Sequence, residues 1–231
     1  MNLDECGEQV VEGYLKMINT ATLLGRLRES AGEEEWCSPE TQGWVFSRVI
    51  QDKHAVRHPP SMAYSLRFAK NYLNAVQRHS SGEMNEDLIH WYTDQLQMQP
   101  KPQHEGGAPP PLFHKTYLTR QIGCVTMGVK EGFGGYETVG GTGFSLWEAA
   151  FVLCDFAHRS AHLFAGKAVL ELGAGCGLTA VVLSRLPAAP SRIIMSDHTQ
   201  ALVEGIERNM AINGVPLAAP TIDVGDLAAC P

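Results

Sequence analysis

The stretch Ala168-Val169-Leu170-Glu171-Leu172-Gly173-Ala174-Gly175-Cys176-Gly177-Leu178 constrains the fold more than any other part of the sequence. Ala168 to Leu172 reads as a buried strand. Three glycines spaced two apart follow, and an apolar helix opens at Leu178. Glycine is required in such a turn because a Cβ would hold a ligand away from the backbone and resist left-handed angles. A strand, a glycine turn and a helix amino end in succession form a cradle for a nucleotide or nucleoside.

The pattern then repeats. Arg192 to Ser196 reads as a second strand ending in Asp197, Gln200 to Ile212 as a helix with Leu202, Val203, Ile206 and Met210 on one face, and Thr221 to Val224 as a third strand followed by Asp226. Strands separated by helices of this length predict parallel pairing with right-handed crossovers. The ligand of such a sheet lies beyond the carboxyl ends of the strands, beside the first one. Asp197 follows the turn by roughly 20 residues, the reach at which an acidic side chain bonds ribose hydroxyls. Asp226 is placed to accept a hydrogen bond from an adenine amino group.

The glycines do not make the G-x-G-x-x-G frame of a dinucleotide site, since position 178 is Leu. Glu171, just before the turn, would repel a pyrophosphate and suits a cationic or zwitterionic ligand. S-adenosylmethionine, with a sulfonium and an amino group, fits better than NAD, and a nicotinamide dehydrogenase is disfavoured on these two residues. The competing account is an ordinary α/β turn in which glycine serves geometry and Asp197 caps the next helix.

Upstream, apolar residues at helical spacing predict helices over roughly 5–29, Pro39 to Gln51, Met62 to Arg78 and Asn85 to Met98, with Ser61 and Asn85 as caps. On the third, Met62, Leu66, Ala69, Leu73 and Val76 recur near a period of 3.5, beside a stripe of Tyr64, Phe68 and Tyr72; on the last, Leu88, Ile89, Trp91, Tyr92 and Leu96 are predicted buried. Residues 1–98 thus read as a small helical domain, whose aromatics are most simply core packing. Residues 99–114, with Pro100, Pro102, Pro109, Pro110, Pro111 and Gly106-Gly107, read as a linker before an α/β domain over 115–231. Lys115 to Met127 alternates like strands, and a glycine-rich loop leads to Ser145 and Glu148, spaced as a capping box for a helix reaching about His162. His158 and His162 are four apart on that helix, but a third ligand and the H-E-x-x-H frame are missing, so no metal site is predicted.

With 231 residues, 44% apolar and 19% charged, the chain has the composition of a globular protein. A net charge of −7 argues against nucleic acid as the main partner and is compatible with a basic protein. No apolar run is long enough for a membrane span, and the acidic Met1 to Val10 does not resemble a signal peptide. Six cysteines, none paired as C-x-x-C, read as reduced thiols of the cytoplasm.

Val169-Leu170-Glu171-Leu172-Gly173-Ala174-Gly175-Cys176-Gly177-Leu178-Thr179 resembles motif I of the seven-strand S-adenosylmethionine-dependent methyltransferases. Thr142-Gly143-Phe144-Ser145-Leu146-Trp147-Glu148-Ala149-Ala150 resembles the segment before it in the subgroup that methylates lysines of non-histone proteins. His58-Pro59-Pro60-Ser61 with Tyr64 and the preceding helices are similar to the elongation factor 2 lysine methyltransferase family. The resemblance implies a Rossmann-like seven-strand α/β fold preceded by a small helical domain, and transfer of a methyl group from S-adenosylmethionine to a lysine of a protein, elongation factor 2 above all. It implies a cofactor pocket from Trp147, Glu171, Gly173, Ala174, Gly175, Asp197, Asp226 and Leu227. Leu227 stands where the family usually has Trp, which removes an aromatic contact with adenine. The chain stops at Pro231, after the third strand, where the family continues with further strands and a short Asp-x-x-Tyr motif; the first strand is therefore expected to have an unpaired edge and uncovered apolar faces. No catalytic base is assigned, and a truncated, non-catalytic binding module is the alternative function.

Overall fold

A computed structural model describes residues 3, 7–79, 83–98, 112–130, 141–215 and 222–226. The chain divides into two compact units, Met1–Pro110 with His114–Tyr117, and Pro111–Phe113 with Leu118–Pro231.

The first unit is helical: α1 Glu8–Leu15, α2 Thr20–Ala31, α3 Pro39–Trp44 running on as a π-helical turn Val45–Ile50, α4 Lys53–Arg57, α5 Met62–His79 and α6 Glu86–Met98. The single helix predicted over 5–29 is two. Ile18 N donates to Gly13 O and Met17 N to Tyr14 O, each at 3.0 Å, with Met17 at φ 56°; this is a Schellman stop with Met17 in the left-handed position. Asn19 then caps α2 by accepting from Ala21 N at 2.9 Å. Ser61 and Asn85 cap α5 and α6 as predicted, accepting from Tyr64 N at 3.1 Å and Leu88 N at 3.0 Å.

The aromatic stripe of α5 is the deeper of its two predicted faces. Tyr64, Phe68 and Tyr72 are buried, whereas Met62 is exposed. Tyr14 and Phe68 rings lie 5.4 Å apart, and Phe68 stacks on Tyr72 at 6.3 Å. Burial of phenols is tolerated where the hydroxyl finds a partner. Tyr14 Oη donates to Ser65 Oγ at 2.8 Å and Tyr72 Oη to the Trp36 carbonyl at 2.9 Å. On α6 only Leu88 of the predicted set is fully buried, and Leu96 is exposed.

β1 (Leu112–Thr119) and β2 (Gly123–Lys130) form a two-stranded sheet. β1 begins inside the stretch read as linker, with Phe113 and Thr116 buried along it; residues 99–111 lie outside the described residues. In the second unit follow α7 Glu148–Arg159, β3 Ala168–Leu172, α8 Leu178–Ser184, β4 Arg192–Asp197, α9 Gln200–Ile212 and β5 Ile222–Asp226. The three last strands make a parallel sheet in the order β3-β4-β5, as the alternation of strands and helices predicts. The register pairs Leu172 with Ser196 and Asp197 with Asp226.

Three expectations for this unit are corrected. The capping box does not form: α7 begins at Glu148 with an extended Trp147 at its N-cap and no side-chain cap, so Ser145 lies outside the helix. The helix stops at Arg159, and His162 sits in a following 3₁₀ turn. β3 is not buried on both faces, since among the described residues it is the sheet edge, with Leu170 and Leu172 exposed. That last finding agrees with the unpaired edge expected for this strand. Among the described residues no helix is long and apolar enough to cross a membrane.

Side-chain amides and a guanidinium tie β2 to the helices. Asn213 Oδ1 accepts from Thr126 N at 2.9 Å and its Nδ2 donates to Thr126 O at 2.6 Å. Arg185 Nη1 donates to Cys124 O at 2.6 Å. Asn209, fully buried on α9, accepts from Gly128 N at 2.7 Å and donates to Gly128 O at 3.2 Å and to Cys176 O at 2.9 Å. It thereby joins β2 to the end of the glycine turn. Asn209→Ala strands these backbone groups in the core and should cost about 2–3 kcal/mol, read as a lowered urea midpoint with an unchanged m-value.

Candidate functional site

The glycine turn between β3 and α8 is left-handed at Gly173 (φ 69°), Gly175 (φ 54°) and Gly177 (φ 77°). Two clamps from the end of β4 hold it. Ser196 O accepts from Gly173 N at 2.9 Å and Ala174 N at 3.0 Å, and Asp197 Oδ2 accepts from Gly175 N at 2.7 Å. Asp197 Oδ1 accepts from His198 N and pairs with His198 Nδ1, both at 2.7 Å. The residue that caps α9 is Thr199, which accepts from Leu202 N at 3.4 Å, so Asp197 is not that helix's cap. Two glycines have distinct reasons to lack a side chain. A Cβ on Gly175 would fall 3.0 Å from the Gly143 carbonyl, while a Cβ on Gly173 would project into open space.

That space is a cavity of about 290 Å³, near the lower end for small-molecule pockets. Trp147, Glu171, Gly173, Ala174 and Gly175 all line it. Asp197 does not; it lies behind the turn, almost wholly buried. Asp226 closes β5 with its Cα opposite Asp197, and Leu227 lies outside the described residues. Sequence reasoning missed Ser145, Leu146, Ala149, Ala150, Leu153, Cys176 and Leu178, which complete the lining. The signal for Ala149, Ala150 and Leu153 was their helical spacing on α7 (i, i+1, i+4), one face of a helix that packs beside α8.

Glu171 is the charged group of the cavity. Its Oε2 is buried and has no hydrogen-bond partner. Burial above all, with the Asp197 charge adding to it, pushes its carboxyl above the usual glutamate range; a hydrogen bond with the Thr179 side chain offsets part of this. Burial likewise pushes the Cys154 thiol up to about 12, with Thr179 opposing and the Glu171 charge adding. The site thus holds a carboxyl short of positive charge, at the carboxyl end of a parallel strand beside a turn with room at Gly173. That arrangement accepts a ligand with a cationic group and leaves little welcome for a phosphate.

Residues 135–228 match the model of a lysine methyltransferase family. The protein-lysine N-methyltransferase EEF2KMT of Homo sapiens is 28% identical over 178 residues, covering 76% of this chain and 49% of that protein. Its counterpart in Bos taurus is 28% identical over 205 residues, or 87% and 53%. The protein-lysine N-methyltransferase EFM3 of Chaetomium thermophilum is 38% identical over 76 residues, or 33% and 22%. Residues 135–228 thus carry a segment similar to a lysine methyltransferase domain. The similarity to the EEF2KMT relatives extends over most of the chain, which spans about half of their length. The matched segment contains the glycine turn and the residues that line the cavity.

Gly175→Ala combines a left-handed angle with a collision against Gly143, and should lose about 1–2 kcal/mol or more of unfolding free energy. Gly25→Ala on α2, with nothing within 4 Å of the added Cβ, should instead gain up to about 1 kcal/mol; urea unfolding compares the two. Because the folded-state value of Glu171 is raised, its stabilising contribution is present in acid and is lost as pH rises through that value. Glu171→Gln should therefore melt higher than the parent at neutral pH, with the gap closing toward pH 4 in a melting-temperature series.

Proposed function

We propose that this chain is the cofactor-binding part of a protein-lysine N-methyltransferase that uses S-adenosylmethionine and acts on a lysine of elongation factor 2 in the cytoplasm. The observation that carries the reading is the buried, unpartnered Oε2 of Glu171 at the foot of a cavity bounded by the glycine turn. The residues fit this cofactor: Glu171 suits its positive charge, and the open side of Gly173 gives room for it against the backbone.

When bound, S-adenosylmethionine supplies an electrophilic methyl group on a sulfonium, for a neutral lysine amine to take in line. The chain's own contribution is binding, orientation and exclusion of water. Trp147, at the amino end of α7, forms the wall facing the turn. Asp197, behind the turn and accepting from Gly175 N, serves by holding the turn in the shape that bounds the cavity. Asp226, aligned with it at the next strand end, is the candidate for the adenine amino group. Elongation factor 2 as the substrate is supported by the relatives named EEF2KMT, and a net charge of −7 is compatible with a basic protein partner.

A second reading, a binding module without catalysis, is favoured by one observation. Among the described residues β3 is an edge strand with Leu170 and Leu172 exposed, an apolar surface suited to a binding partner. Calorimetric titration with S-adenosylmethionine should give a micromolar Kd, about −8 kcal/mol, and NAD should give no heat. Transfer of labelled methyl to elongation factor 2 then separates enzyme from binding module. Absence of heat with S-adenosylmethionine would overturn the cofactor reading.

A further inference from the structure

The Glu171 site carries a consequence for how a ligand enters it, and this consequence rests on the cofactor reading above. Glu171 Oε2 is buried without a hydrogen-bond partner in a cavity large enough to admit a ligand. The groups acting on its carboxyl are Thr179 on α8 and Asp197 on β4, and its charge in turn acts on the Cys154 thiol of α7. One is a hydroxyl, one a carboxylate and one a thiol, and none brings positive charge. His198, which follows Asp197, pairs its Nδ1 with Asp197 Oδ1 at 2.7 Å.

We propose that Glu171 is the cation-selecting group of the cavity and works by exchange: the empty cavity keeps its carboxyl protonated, and the positive group of an entering ligand displaces that proton to solvent. The balance is simple. One O–H bond breaks, one proton passes to buffer, and one carboxylate is left facing one ligand cation, so the net charge in the cavity stays the same before and after. A buried carboxylate facing Asp197 with no counter-charge is the alternative, and it is the costly one. The raised value of the carboxyl agrees with this. Two results follow: ligand affinity rises with pH until the free carboxyl ionises, and a ligand lacking a cationic group gains nothing from Glu171.

The test is calorimetry of the full chain with S-adenosylmethionine at several pH values, in phosphate and in Tris, whose ionisation enthalpies differ. The expected result is a buffer-dependent heat corresponding to release of up to one proton. Affinity should strengthen by up to tenfold per pH unit below the carboxyl's value. In the infrared difference spectrum the band of a protonated carboxyl should disappear on binding. Glu171→Gln, close in shape to the protonated form, should bind at least tenfold more weakly, release no proton and show no such band. His198→Gln should keep the release, which assigns the proton to Glu171. 5′-methylthioadenosine, which lacks both the sulfonium and the amino group, should bind with heats that do not depend on buffer. Binding of S-adenosylmethionine with buffer-independent heat and a flat pH profile overturns the exchange while leaving the cofactor reading intact. Equal release from Glu171→Gln also overturns it. No binding at any pH overturns the cofactor reading itself, and the exchange with it.

Discussion

The hydrogen bond from Gly175 N to the Asp197 carboxylate, with the pair that Ser196 O accepts from Gly173 and Ala174, fixes where the second unit can hold a ligand. A glycine turn has many accessible shapes, and its conformational entropy is the highest of any segment of its length. Here three backbone amides are spent on the end of the neighbouring strand. The parallel register that sets Leu172 beside Ser196 makes this possible, because it brings the turn level with the last residues of β4. The cavity, the left-handed angles and the room at Gly173 all follow from that fastening.

A second fastening comes from the opposite side. Asn209 holds the Cys176 carbonyl, while Cys176 Sγ donates to the Gly143 carbonyl at 3.4 Å. The turn is therefore gripped between β4, α9 and the segment ahead of α7. Its amides cannot rearrange without breaking bonds in at least two of these places. Such rigidity suits a binding site, since little entropy remains to be lost when a ligand arrives. In the helical unit the hydroxyls of the buried Tyr14 and Tyr72 are likewise partnered, by Ser65 Oγ and the Trp36 carbonyl.

The electrostatics of the cavity are set by how unequally its two carboxylates are served. Asp197 has three donors, and Glu171 Oε2 has none. Identical chemistry in the two side chains thus yields one carboxyl that fastens the turn and one that resists ionisation. Position relative to the turn decides which is which. Asp197 lies behind it, against backbone N–H groups, and Glu171 lies before it, among apolar neighbours and a thiol.

What the sequence alone determined is the set of features that depend on local chemistry: the strand, glycine turn and helix from Ala168 to Ser184, the alternation that makes the sheet parallel, the caps at Ser61 and Asn85, and the placing of Glu171 beside Gly173 to Gly175. Each rests on spacing along the chain, which survives folding. Where the tertiary structure decided, the deciding contacts came from residues far apart in sequence. Asp197 serves the turn instead of the next helix because β4 ends beside it. The Ser145–Glu148 capping box yields to an extended Trp147 that lines the cavity. Leu170 and Leu172 look like core in sequence, yet they are exposed, since burial of a strand depends on what pairs with its edge and covers its face, and no periodicity within the strand records that.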